Sequence, residues 1–67
     1  MGRLYDYCAR VQEHIEHTGL DVFKTRGAIA LEAGFLITLV DPGDPDDEQK
    51  IAALKEASLK VLNLNLD

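Results

Sequence analysis

Apolar residues obey three different rules along this chain, and each rule predicts a different element. Over residues 3–18, RLYDYCARVQEHIEHT, Leu4, Cys8, Val11 and Ile15 recur at spacings of four, three and four. That spacing places them on one stripe and predicts an amphipathic helix. Tyr7 and Thr18 border the stripe on one side and Gln12 on the other. Asp6, Arg10, Glu13 and His17 face away, and Asp6–Arg10 and Glu13–His17 are i,i+4 pairs of the kind that support a helix surface. Gly19, directly after Thr18, suits a left-handed C-terminal cap.

Residues 27–40, GAIALEAGFLITLV, abandon alternation: the only charge is Glu32 and the only hydroxyl is Thr38. With Asp21 as an N-cap, this run predicts a second helix over residues 22–40. One side of it gathers Gly27, Ala30 and Gly34, with Phe23 and Ile37 beside them, and these small residues would let another backbone come close. The opposite side gathers Ala28, Ile29, Leu36, Leu39 and Val40 around Glu32. A helix apolar all round must be covered all round, so this helix is expected to be central.

Asp41-Pro42-Gly43-Asp44-Pro45 is the clearest punctuation in the chain. Pro42 drives Asp41 out of helical geometry, and Gly43 permits a tight reversal. Asp44 then reads as an N-cap with Pro45 in the first helical position, opening a third helix over residues 45–62. Its main stripe is Ile51, Leu54, Ser58 and Val61, with Ala52, Leu59 and Leu66 on a weaker one. Glu56–Lys60 is a well-oriented surface pair. The end, Leu62-Asn63-Leu64-Asn65-Leu66-Asp67, alternates with period two, which fits a frayed helix end or an extended segment laid along a partner.

The expected fold is therefore all-α: three antiparallel helices forming one small domain over residues 1–67. Length sharpens this. A chain of 67 residues buries only about 60% of the surface its unfolded form exposes. The single cysteine, Cys8, closes no disulfide within the chain, and no zinc-spaced Cys/His cluster is visible. Association with another chain is the expected extra source of stability. The expected state is a homo-oligomer, a dimer first, with an intermolecular helix bundle at its centre.

Charge removes other classes. A net charge of −5 repels phosphate backbones and anionic lipid, so neither nucleic acid nor a membrane surface is an expected partner. Residues 1–18 mix charges throughout, unlike a secretory leader, and the apolar run falls short of the ~20 residues that span a bilayer. Cytoplasmic residence is the expectation.

Candidate chemistry is sparse. Glu32 has no base three or four residues away; level with it on neighbouring helices stand Tyr7, Arg10 and Lys55. It reads as a rim glutamate, paired or wet, or else as a buried glutamate that fixes helix register or binds a ligand. Glu13, His14 and His17 are metal-ligand types, and two histidines three apart on a helix can share an ion. His17 nevertheless points outward and no Glu-x-x-His motif is repeated, so a surface charge network is the first reading and a site between subunits the second. Cys8 lies on the apolar stripe and reads as a buried, inert thiol. Capping explains the acidic run Asp41–Glu48 without calcium. No phosphate loop, nucleophile–base set or paired-carboxylate cleft emerges, so neither catalysis nor a cofactor is expected.

The functional expectation is a small self-associating interaction or scaffolding module, an adaptor or regulator of a larger protein partner. Phe23, Gly27, Ala30, Gly34 and Ile37 would form its interface, with Leu59, Leu62, Leu64 and Leu66 at the edges. A metal-binding helical protein with a Glu/His site at a subunit interface, and an apolar-ligand binder using a groove beside Gly27 and Gly34, are the alternatives.

Overall fold

In the computed structural model the described residues are 2–34 and 47–67. They form three helices, α1 (Arg3–Thr18), α2 (Val22–Ala33) and α3 (Glu48–Leu62), so the fold is all-α.

The first helix follows its pattern closely. Leu4, Cys8, Val11 and Ile15 are the buried residues of α1. Gly19 terminates it at φ 75°, its N–H donating to the Ile15 carbonyl. Glycine takes that left-handed conformation without the steric cost of a Cβ, which is why the chain reverses there. Asp21 then caps α2 by accepting from the Lys24 N–H at 2.9 Å.

Two expected boundaries are corrected. The second helix ends at Ala33, not at residue 40, because Gly34 adopts φ 75° and its N–H turns back to the carbonyls of Ala30 and Leu31. The apolar run outlasts the helix; its remaining residues, Ile37 included, lie outside the described residues. The third helix begins at Glu48, because Asp47 is its N-cap, accepting from the N–H groups of Gln49 (2.9 Å) and Lys50 (3.2 Å). Asp44 and Pro45, expected to open this helix, also lie outside the described residues.

The centre of the fold is corrected as well. All three helices pack on one another, and the contact between α3 and α2 is the most extensive; among the described residues α3 supplies more of the interior than α2. The third helix contributes Ile51, Leu54, Ala57, Ser58 and Leu62 to the interior, whereas α2 contributes Ile29. Each fully buried aliphatic side chain of this core contributes about 1.5–3 kcal/mol.

The C-terminal segment completes the core from within the chain. Asn63 ends α3 in the left-handed region at φ 55°, its N–H donating to the Leu59 carbonyl, and asparagine tolerates that conformation better than other non-glycine residues. Beyond it Leu64 is half-buried and Leu66 buried, while Asn63 and Asn65 are exposed. The period-two alternation is thus that of an extended segment laid against this chain's own helices.

Candidate functional site: an outward apolar face

The second helix turns one side to the core and the opposite side to solvent. Ile29 is 1% exposed; roughly opposite it on the helix stand Phe23 at 84% and Leu31 at 83%, with exposed Gly27 between them. Leu20, 46% exposed, precedes the helix, and Gly34 follows it. No charge interrupts the series Phe23, Gly27 and Leu31; Lys24 stands beside it, and Glu32 is turned round the helix toward Lys60 of α3. Single exposed leucines are ordinary, but large apolar side chains continuous along one helix mark an interaction surface.

Of the interface residues expected from sequence, Phe23 and Gly27 fall on this face, with Ala30 half-buried at its edge and Gly34 at its end. Leu59 is exposed on α3. Leu62 and Leu66 are withdrawn from any outer surface: both are buried in the chain's own core, and Leu64 packs against it. Leu31 and Leu20 were not among the expected residues. The signal for Leu31 was present in its position four residues after Gly27 and eight after Phe23. It was obscured by treating Gly27–Val40 as one continuous helix.

Glu32 is not buried. Its side chain is 46% exposed and its Oε2 lies 3.5 Å from Lys60 Nζ, which also approaches Glu56 at 3.9 Å. The cation on α3 that meets Glu32 is Lys60 rather than Lys55. Lys55 instead pairs with Asp67 at 2.5 Å and sits 5.1 Å from the centre of the Tyr7 ring. Hydrogen bonding from Arg3 and then Lys55 lowers the Tyr7 phenol from its ordinary range. The bond to Asp67 and then the one to Tyr7 raise Lys55. Arg3 also bonds Glu48 at 2.6 Å, tying the start of α1 to that of α3.

Glu13, His14 and His17 do come together, with Arg10 and Leu64, around a shallow groove of about 350 Å³. Its charges are mixed and Arg10 is committed elsewhere, to the carbonyl oxygens of Leu66 (2.6 Å) and Asn65 (3.5 Å). Among the described residues no group of three His, Cys, Asp or Glu side chains is placed to hold a metal ion. Cys8 is buried and its thiol is pushed up to about 11 by desolvation, which keeps it protonated and unreactive near neutrality. Among the described residues no helix is long and apolar enough to cross a membrane.

No protein-family model matches this chain, and no curated protein or solved structure matches it.

Proposed function

We propose that this chain is a small helical interaction module that self-associates, as a dimer, through the outward face of α2 and presents the assembled bundle to a larger protein. The observation that supports this reading is the exposure of Phe23 and Leu31 on one uncharged stripe of a chain with little interior to spare. Covering a Phe or Leu side chain contributes about 1.5–3 kcal/mol, enough to favour association when several are covered together. Among the described residues no group of three His, Cys, Asp or Glu side chains placed to hold a metal accompanies the stripe. Cytoplasmic residence accords with a buried free thiol.

The test is sedimentation or light scattering across a concentration series. A mass that rises from monomer to dimer supports the reading, and Ala30→Lys, placed at the edge of the face, should suppress the rise. A single monomeric species at every concentration would remove it.

A further inference from the structure

We infer that the cleft between α1 and α3 is a peptide-docking site for an extended partner segment of pattern Leu-x-Leu-acid, and that residues 64–67 are an internal strap competing for it. The inference is independent of assembly through α2.

The contacts that hold the strap already form a recognition pattern. Arg10 of α1 donates to the Leu66 carbonyl at 2.6 Å and to the Asn65 carbonyl at 3.5 Å. Every peptide carries carbonyls, so these bonds place a backbone without asking for its sequence. Side chains supply the selection. Leu66 enters the core and Leu64 packs against it, while Asn65 between them faces solvent. The carboxylate of Asp67 meets Lys55 of α3 at 2.5 Å, and Lys55 stands 5.1 Å from the centre of the Tyr7 ring. Main-chain bonds for affinity and pockets for alternate side chains for specificity are how extended segments are bound. In a chain of net charge −5, two cations aimed at acceptors here make the fitting partner an acidic one.

The strap is the replaceable part of the arrangement. Asn63, at φ 55°, turns the chain out of α3. Beyond it, among the described residues, no backbone ladder ties the strap to α1. The Leu64 N–H closes the end of α3 on the Ser58 carbonyl, and the Asp67 N–H goes to the Asn65 side chain. Release therefore breaks contacts from two cationic side chains and uncovers the leucine sites, with no helix unwound.

The strap also leaves part of the cleft open. It runs opposite to α1, from Leu64 past Arg10 to Lys55 and Tyr7. Beside Leu64 a groove of about 350 Å³ continues along α1 at Glu13, His14 and His17. The strap cannot follow it, because at Asn63 the chain turns back into α3. A free segment has no such turn and runs on into the groove, gaining contacts the strap lacks. It must still outcompete a tethered strap, whose effective concentration is on the order of millimolar.

The probe is the C-terminally amidated peptide Leu-Asn-Leu-Asn-Leu-Asp, labelled at its N-terminus and titrated with full-length chain by fluorescence anisotropy. Leu66→Ala weakens the strap and should bind the probe roughly tenfold or more tighter than the wild type. Asp67→Lys leaves every buried side chain in place and should bind it about three- to fivefold tighter. Adding Arg10→Ala to either variant should cost roughly tenfold, and so should replacing the last leucine of the probe by alanine. Circular dichroism establishes that each variant is helical; if Leu66→Ala is not, Asp67→Lys decides. Wild-type binding as tight as that of Asp67→Lys, equal binding of the alanine peptide, or no binding to helical Asp67→Lys at millimolar probe overturns the inference.

Discussion

Arg10 on α1 donates from Nη1 to the carbonyl oxygen of Leu66 at 2.6 Å, and that bond holds the C-terminal segment against the first helix. The neighbouring Nη2 reaches the Asn65 carbonyl at 3.5 Å, and the guanidinium carbon lies 6.0 Å from the Tyr7 ring centre. One side chain thus satisfies backbone acceptors that an extended segment leaves open, while Leu66 beneath it is 2% exposed. Hydrogen bonds to a charged donor contribute about 1.5–3 kcal/mol when buried, and partial exposure here reduces that. Arg10→Ala is expected to cost about 1–2 kcal/mol, read from the urea midpoint, and to raise hydrogen exchange at residues 63–67. Leu66→Ala should cost about 2–4 kcal/mol. Since both act on one docked segment, the double variant should cost less than the sum; strict additivity would mean the segment does not dock as a unit.

Ser58 presents the opposite situation. It is wholly buried on α3, and its hydroxyl has no hydrogen-bond partner among the described residues. An unpaired buried hydroxyl carries its desolvation cost without return, about 1–3 kcal/mol. Ser58→Ala keeps the size nearly constant and removes the orphan oxygen. Stability should rise by about 1 kcal/mol, a gain of some 4–8 °C in Tm for a chain of this length. An unchanged or lower Tm would mean that the hydroxyl is satisfied in solution.

The ion pair of Glu32 and Lys60 decides between the two readings of that glutamate. Both side chains are about half exposed, and exposed pairs contribute about 0–1 kcal/mol. Glu32→Gln is therefore expected to change stability by less than about 0.5 kcal/mol, and the effect should vanish in high salt. A loss of several kcal/mol would be the signature of a buried, register-fixing glutamate.

What the sequence revealed and what it concealed divide along physical lines. The first helix was legible to the residue because a single apolar stripe, Leu4 to Ile15, agreed with its cap at Gly19. The second was legible at Asp21 and illegible at its end. Gly34 stood inside an apolar run, so its conformational role was hidden behind its packing role, and periodicity has nothing to report where every position is apolar. That error carried into the choice of central helix: a twelve-residue α2 buries one side, and α3 takes the centre. The alternation of Leu62, Leu64 and Leu66 was readable as an extended segment. Its docking site was not, because a contact between Arg10 and Leu66 spans 56 residues of sequence. For the candidate surface, Phe23 and Gly27 were visible as types and spacing, while Leu31 required knowing which side of α2 the core occupies.

Cys8 gives the chain a defined alkaline limit. Burial holds its thiol near 11 against 9.0 for the unperturbed group. The unfolded chain therefore releases this proton first, and between about pH 9 and 11 rising pH favours unfolding. The stabilising contribution is complete below pH 9 and is lost as pH climbs through the folded value. Lys55, raised by Asp67, pulls in the same direction, and Tyr7, lowered by Arg3, in the other. Comparison with Cys8→Ala isolates the thiol. Between pH 8 and 10.5 the wild type should lose about 1–2 kcal/mol more than the variant. Equal losses would mean that Cys8 ionises in the folded state as freely as in the unfolded one.

Two glycines of α2 should respond to alanine with opposite sign. At Gly34, φ is 75° and an added Cβ suffers the strain of the left-handed region although open space surrounds it; Gly34→Ala should cost about 1 kcal/mol by weakening the cap. A bulky residue at Gly34 is for the same reason a poor probe of assembly, since it would damage the helix end first. At Gly27 the backbone is helical and the space is equally open. Gly27→Ala should therefore stabilise the monomer by about 0.5–1 kcal/mol, through helix propensity alone. Denaturation at low concentration reads the monomer term, and the concentration dependence of the mass reads assembly. If Gly27 lies in the contact of the proposed self-association, the variant gains stability when dilute and loses affinity when concentrated. A gain in both would leave the glycine without a role in association.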